Sequence, residues 1–476
     1  MDAIFGFITP LFWGVLLLSL LVFVHEGGHF LAARACGVRV TEFFLGLPFR
    51  YNISHTSKRI GTKFGVTPLL LGGYAAICGM DPEQAPHAAR VLSRVHEAGA
   101  ISVDELAEQL EITPDEALEA CVFLMGWGSV LPVYDASKGE GPTSKYYPSR
   151  YMAPARDAAG NTVFDGRVFD RAGATSDGEP WTPPMGAERF FELERSHTYV
   201  GKGFFKRAFM LLAGILVNLV TGVTLFVIAY SAIGYNAPID VNIVGSITEG
   251  SPAAAAHIQE GDRILAVDGT AVDSWSELLA ALGNRDAGAT VALEVWSPSQ
   301  EESAEQRLGP VDRTYLEAHG STHTVEAKLD EDGLLGIGVL YHTMRVSPMV
   351  AARMSVDYLV QTAQGVAKLL MPQHTKEVLD SSTSVVGISV LSAQAAEQGA
   401  ASFMSFAALI SFSLGFMNLL PIPPLDGGKL VIEAIQAVRG KELSVKAQTI
   451  VSYVGIAFFA FLFLYMLRAD ILRLLH

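Results

Sequence analysis

The sequence predicts a polytopic α-helical membrane protein of about four transmembrane helices, carrying a β-rich extracytoplasmic domain and a cytosolic α/β insertion. Three observations lead there. Half of the 476 residues are hydrophobic and only 17% are charged, with a mean hydropathy of +0.32, a balance that suits membrane spans joined to sizeable water-exposed parts. Four apolar stretches approach the roughly 20 residues that cross a bilayer. Basic residues gather at the ends of those stretches that share one side. The net charge of −15 removes any global argument for nucleic acid or an anionic membrane surface as the main partner. Three cysteines without metal-like spacing, Cys36, Cys78 and Cys121, imply no disulfide framework.

The first span is expected over residues 7–31. No basic segment precedes it, and its apolar run outlasts the core of a cleavable signal, so it reads as a retained helix. Spans two, three and four are expected over 208–230, 401–420 and 451–467. Arg34, Arg39, Arg50, Lys58, Arg59 and Lys63 follow span one. Lys202, Lys206 and Arg207 precede span two, and Lys429, Arg439, Lys441 and Lys446 join span three to span four. Basic loops face the cytosol, which places both termini outside and brings the end of span one level with the end of span three.

Residues 42–80 read as a membrane-associated β-hairpin region, with a strand pair from about Ile60 to Met80 whose turn carries Gly72 and Gly73. Residues 82–150 form a cytosolic insertion. Ser102-x-x-Glu105 and Thr113-x-x-Glu116 are capping boxes, the second with Pro114 at the first helical position. Two helices followed by a strand pair, Ser129 to Tyr134 and Lys145 to Pro148, resemble a winged helix. Acidic residues crowd Asp104 to Glu119, so a packing or protein-docking module is expected rather than a DNA reader. Residues 151–200, rich in Gly, Pro and Asp, read as irregular linker.

Residues 241–340 alternate in the manner of strands. Gly250-Ser251-Pro252-Ala253 opens a short helix, Gly261-Asp262-Arg263-Ile264-Leu265 leads a strand, Val267-Asp268-Gly269 makes a tight turn, and Ser274 caps a helix with Glu277. The order resembles a PDZ domain, which adds an extended peptide to a sheet edge. It departs from that pattern at His257, where glycine is common. Polar Ser297 to Ser321 reads as a loop, and 349–370 as an amphipathic surface helix.

Two stretches carry the chemistry. His25-Glu26-Gly27-Gly28-His29 fits H-E-x-x-H: on a helix, two imidazoles one turn apart can hold one zinc ion while Glu26 acts on water. Imidazoles and a carboxylate inside a span are costly and point to function. Gly27 and Gly28 allow another backbone or a substrate to come close. A catalytic zinc site needs three protein ligands and an open position. The stretch 418–428, Asn-Leu-Leu-Pro-Ile-Pro-Pro-Leu-Asp-Gly-Gly, breaks the third span with prolines and presents Asp426 as the third ligand.

Together HEGGH, the PDZ-like region and NLLPIPPLDGG resemble the site-2 protease family of intramembrane zinc metalloproteases, most of all its bacterial sigma-E-regulating branch. Phe205-Lys206-Arg207, Ala213 to Asn218 and Ser384 to Ile388 add to the match, although Ile215 stands where the family usually has proline. The insertion lies outside it. The resemblance implies a multi-pass protein of the bacterial inner membrane, in contact with lipid, that cuts peptide bonds in or beside the transmembrane helices of single-pass substrates such as anti-sigma factors or leftover signal peptides. Zn2+ would be held by His25, His29 and Asp426, with Glu26 as general base. A helical substrate must be unwound to expose its backbone, so an edge near Gly72 and Gly73 is expected to pair with it. Asn418 is expected to hold substrate backbone or a developing oxyanion; mending the proline-broken helix explains that amide nearly as well. Two rivals stand beside this reading: a scaffold that binds peptide tails through its PDZ domain, and a zincin acting on soluble peptides.

Overall fold

The computed structural model describes residues 2–80, 85–141, 147–283, 285–299, 313–369, 371, 373–374, 384–441 and 443–475. The chain forms two compact units, residues 1–227 with 349–476, and residues 228–348.

The first unit opens with helix α1 (Asp2–Ala35), which extends past the expected span at both ends. Gly37 ends it in the left-handed region, φ 70°. The Val38 amide then donates to the Ala33 carbonyl at 2.8 Å, closing the helix as such a glycine allows. The chain turns directly into β1 (Val40–Leu45), followed by β2 (Ile53–Thr56), β3 (Lys63–Val66) and β4 (Gly73–Ile77).

Here the expected hairpin is corrected. The sheet order is β2-β3-β1-β4, so β3 and β4 do not pair with each other; β1 lies between them, parallel to β3 and antiparallel to β4. Glycines make room for it. A Cβ on Gly65 of β3 would lie 2.4 Å from the Phe44 ring, and one on Gly73 of β4 would lie 2.8 Å from the Phe44 carbonyl oxygen. Without side chains at these two places, β1 fits into the middle of the sheet.

The insertion comprises α2 (Ala88–Ala98), β5 (Ala100–Ser102), α3 (Val103–Leu110), α4 (Pro114–Gly126), β6 (Leu131–Val133) and β7 (Arg150–Met152). Helix α2 and strand β5 precede the two helices read from the capping boxes. Both boxes are formed, with the Ser102 and Thr113 hydroxyls accepting from the Glu105 and Glu116 amides. The strands pair in the order β5-β7-β6 over a core that includes Leu92, Leu106, Leu124 and Tyr151. The second expected strand falls partly on 142–146, outside the described residues; its observed counterpart is Arg150–Met152.

The expected linker, 151–200, is also corrected. It contains helix α5 (Ala187–Ser196) and is held by buried charges. Arg39, three residues after Cys36 on the strand side of α1, contacts Asp165 at 2.6 and 2.7 Å and Glu194 at 2.6 and 3.1 Å. Arg156 contacts Glu194 at 2.7 and 3.0 Å and His96 at 3.1 Å. Two cations face two anions, which is the condition for burying charges at all. Burial would raise the Glu194 pKa, yet Arg156 and Arg39 outweigh it and hold the carboxyl well below its usual range. Burial, then Arg156, lowers His96 to about 3. That imidazole is therefore neutral, its Nδ1–H donating to the Leu92 carbonyl at 2.8 Å while Nε2 accepts from Arg156. A segment that reads as linker by composition is thus fixed by side chains far apart in sequence.

Helix α6 (Phe204–Val227) continues into a π-helical stretch, Ile228–Ile233. The second unit follows, with β8 (Tyr235–Pro238), β9 (Val244–Ile247), α7 (Pro252–Ala255), β10 (Arg263–Val267), β11 (Thr270–Ala271), α8 (Trp275–Leu282), β12 (Thr290–Pro298), α9 (Arg313–His319), β13 (Gly320–Lys328), β14 (Ile337–Val339) and β15 (Tyr341–Met344). Its main sheet runs β11-β10-β12-β13, and β14 pairs with β9 and β15 with β8. Val267, Leu278, Val291 and Leu293 are fully buried in its core. His257 has φ 59°, a left-handed position that favours glycine, which gives the departure noted at this residue its backbone reason. The expected loop 297–321 is corrected where it is described: β12 and β13 pair from Thr290↔Lys328 to Pro298↔Gly320, and residues 300–312 lie outside the described residues.

The first unit resumes with α10 (Pro348–Leu369), α11 (Val385–Glu397), α12 (Ala400–Leu419), α13 (Asp426–Arg439) and α14 (Val445–Leu475). Residue 370, the end of the expected amphipathic helix, lies outside the described residues. Among the described residues four helices are long and apolar enough to cross a membrane: Ile8–Ala35, Phe204–Ile233, Ala400–Leu419 and Val445–Arg468. Helix α11 has no counterpart in the sequence reading. It packs on α1 so closely that a Cβ on Gly14 would sit 2.1 Å from the Ser389 hydroxyl.

Candidate active site

His25 and His29 lie one turn apart on α1 and face α6, where the helices approach at small residues. A Cβ on Gly28 would fall 2.6 Å from the Ala213 carbonyl oxygen, and one on Gly214 would fall 2.5 Å from His29 Nε2. Gly28 thus serves helix crossing. A Cβ on Gly27 would lie 3.8 Å from the Phe43 ring of β1, an ordinary contact.

Asp426 arrives from the far end of the chain. Leu420 to Leu425 leave α12, and Asp426 opens α13 as its first residue. Gly427 and Gly428 permit this by close packing: a Cβ on either would fall 2.2 Å from backbone of the incoming loop, the Leu419 oxygen and the Pro423 nitrogen respectively. The carboxylate then meets both imidazoles. His25 Nε2 and His29 Nε2 each lie 3.0 Å from Asp426 Oδ2 and 3.1 Å from one another. All three side chains are buried, with relative exposures of 6, 4 and 8%.

The hydrogen-bond partners decide what those nitrogens carry. His29 Nδ1 lies 2.7 Å from the Met210 carbonyl of α6, which can only accept, so Nδ1 holds a hydrogen, and in the neutral imidazole Nε2 presents a lone pair. A lone pair facing a carboxylate oxygen and a second imidazole in a buried place is suited to holding a cation between them. The donor set, two nitrogens and one oxygen about 3 Å apart, fits a small tetrahedral divalent ion, whose ligands stand roughly 3.3 Å from one another. Asn218, fully buried on α6, lies 3.3 Å from His25 Nδ1, and its Oδ1 has no hydrogen-bond partner among the described residues. With Nε2 turned to an ion, His25 Nδ1 carries a hydrogen. Rotating the Asn218 amide offers it the orphaned oxygen. Met210, Gly214 and Asn218 therefore form a stripe of every fourth residue on α6 that backs the pair. The sequence reading missed these roles; their signal is that spacing of four in a span of otherwise apolar residues.

Glu26, between the two histidines, is half-buried and makes no side-chain hydrogen bond among the described residues. Gly72, at φ 138°, and Gly73 pack against Val22 and Phe23 of α1, one turn before His25. Asn418 lies half-buried in the last turn of α12, outside the three-residue cluster, and its amide forms no hydrogen bond among the described residues.

The model of the family described as Peptidase family M50 matches residues 13–462. The chain belongs to this family, the site-2 protease family that its motifs resemble. It is similar to the zinc metalloprotease RasP of Geobacillus kaustophilus, 26% identical over 96% of both chains. It is also similar to RasP of Shouchella clausii, 27% identical over 97% of this chain and 98% of the relative. A third relative, the regulator of sigma-W protease RasP of Bacillus subtilis, is 25% identical over 98% and 99%.

Proposed function

We propose that this M50 protein is an intramembrane zinc metalloprotease that cuts single-pass membrane proteins in or near their transmembrane segments, anti-sigma factors among them. The observation that carries the reading is the junction of His25 and His29 from the first span with Asp426 from the start of α13, beside a Glu26 left unpaired. Zinc relatives over nearly the whole chain support it.

His25, His29 and Asp426 would hold the ion, which when bound supplies Lewis acidity to water and to the scissile carbonyl. Glu26 takes a proton from the attacking water and delivers it to the leaving amine. Met210 and Asn218 fix the ring orientations, so each imidazole keeps its Nε2 lone pair turned inward. Substrate pairs as an extended strand with the free edge of β4 beside Gly72 and Gly73, and the unpaired Asn418 amide holds its backbone. The basic segments after α1 and before α6 put this end of the site, and the winged-helix-like insertion, in the cytosol. The PDZ-like second unit lies outside with both termini and screens substrate ectodomains.

The test is zinc stoichiometry of detergent-purified protein, wild type beside His25→Ala and Asp426→Ala, with cleavage of a single-span reporter by wild type and Glu26→Gln. One zinc per chain, lost in both ligand variants, and cutting abolished by the glutamine variant despite bound zinc are the expected results. A wild type without zinc overturns the reading. Zinc with no cutting of any reporter favours a peptide-binding scaffold.

A further inference from the structure

The insertion is absent from the motifs that carry the chemistry, yet it reaches the substrate side of the sheet. Strand β4 is an edge strand, paired on one side only with β1. In register, Ala75 of β4 pairs with Phe43. The Phe43 ring lies between Phe23 and Phe30 of α1, at centroid distances of 4.6 and 5.0 Å, and against Gly27. Ala75 is thus level with the turn that carries Glu26.

From that level a cavity of about 390 Å³ follows β4 toward Met80. One wall is Ala75, Ala76 and Gly79; the facing wall is the end of α4, with Phe123, Gly126 and Trp127. Lys429 of α13, three residues after Asp426, borders it as well. So the groove comes within a helical turn of Asp426 along α13 and continues beneath the insertion. Ala75, Ala76 and Gly79 keep much of its β4 side small, with Thr41, Ile77 and Met80 beside them. A Cβ added to Gly126 would meet nothing within 4 Å, and Gly126 ends a helix without a left-handed φ, so neither backbone conformation nor packing requires glycine there. The space it leaves is the groove itself. The buried Arg39, Glu194 and Arg156 contacts fix the insertion to the start of β1, so this wall is held in place and not tethered.

We propose that the insertion is the second wall of the substrate groove: the stretch of substrate on the insertion side of the scissile bond runs extended between β4 and the end of α4. The groove admits roughly four to five residues at about 3.3 Å each, and it selects for Gly, Ala and Ser over bulky side chains. The occupant is the substrate's own chain because the groove begins level with the turn that carries Glu26 and follows β4, an edge strand. This inference rests on the proteolytic reading above and assigns the insertion a part in its specificity.

Two measurements on the full-length protein in detergent test it. The first compares cleavage of two single-span reporters that differ only in the five residues on the insertion side, Gly/Ala/Ser in one and Leu/Phe in the other. Wild type is expected to favour the small-residue reporter by about ten-fold or more in kcat/KM, and Gly126→Trp to lose about ten-fold on it while keeping its zinc. Equal cutting of both reporters, with Gly126→Trp matching wild type, overturns the proposal and leaves the protease reading intact. The second joins Gly126→Cys to Glu26→Gln and asks for a disulfide to single cysteines placed along the small-residue reporter, with Glu26→Gln alone as the control for native thiols. Crosslinks confined to the insertion-side positions support the groove. No crosslink, or crosslinks spread evenly along the reporter, overturns it. Because this second measurement needs no turnover, it decides the groove even where no reporter is cut.

Discussion

Substituting Gly214 with alanine tests whether α6 sets the ligand geometry. The added Cβ would lie 2.5 Å from His29 Nε2 and 2.8 Å from both His25 Cε1 and His29 Cε1. The first is about 0.9 Å short of the 3.4 Å at which ordinary contact begins. Neither ring has an easy retreat. His29 is tied through Nδ1 to Met210, one turn before Gly214, and His25 abuts Asn218, one turn after. Metal–ligand distances tolerate only about 0.2 Å, so the required displacement is several times the allowance. Loss of a supporting contact alone costs 10- to 100-fold in affinity, or about 1.4 to 2.8 kcal/mol; Gly214→Ala is expected to cost at least the upper figure. Zinc affinity by chelator competition reads the effect. Gly222→Ala is the control on the same helix, since the atoms nearest its Cβ all belong to the Phe412 ring and not to the histidines, and it is expected to retain zinc. Gly214→Ala binding zinc as tightly as wild type would refute the argument that this helix face positions the pair.

Asn218→Leu removes the acceptor for His25 Nδ1 and should lower zinc affinity by about 10- to 100-fold, with Asn218→Ser recovering part of it; equal affinities in chelator competition would mean that the amide orients nothing. His96 gives the insertion an acid-labile step. Its folded pKa, about 3, lies below the ordinary value of 6.5, so on acidification the unfolded chain takes a proton that the folded imidazole refuses. Stability is full above pH 6.5 and falls toward pH 3, by about 1.4 kcal/mol per unit. Proteolysis within the insertion should accelerate from pH 6.5 to 5, and His96→Gln should flatten that profile; a profile unchanged by the substitution would locate the acid response elsewhere.

Local periodicity made much of this chain legible. The four apolar runs, the two capping boxes, the Ser274 cap and the one-turn spacing of His25 and His29 all depend on residues close in sequence. Asp426 was legible by a different argument, a span broken by prolines at the depth where a ligand was needed. What stayed hidden depends on contacts across long separations. The central place of β1 follows from the missing side chains of Gly65 and Gly73, which strand alternation does not register. Composition cast 151–200 as linker because Gly, Pro and Asp favour turns, and it carries no trace of Arg39 reaching Asp165 and Glu194, 126 and 155 residues on. That Asp426 opens α13 rests on Gly427 and Gly428 packing against Leu419 and Pro423, contacts that the local sequence does not register.

The same long-range contacts bear on how the site and the insertion act together. Arg39 lies at the start of β1, a few residues beyond the end of the helix that holds the histidines, and it is buried among carboxylates of the segment 151–200, which Arg156 in turn ties to His96 of the insertion. Removing one partner of such a network strands a buried charge and costs about 3 to 5 kcal/mol, so the insertion cannot loosen without disturbing β1. Strand β1 in turn carries β4 along one edge and, from one face, sets the Phe43 ring beside Gly27. Any change that loosens the insertion therefore acts on the strand edge and on the helix beside Glu26, while the ligand cluster, backed by α6 and α13, has separate supports. Metal retention and substrate handling are accordingly separable: damage to the buried charges of the insertion should weaken cutting while zinc stays bound, whereas damage to the α6 stripe should release zinc first.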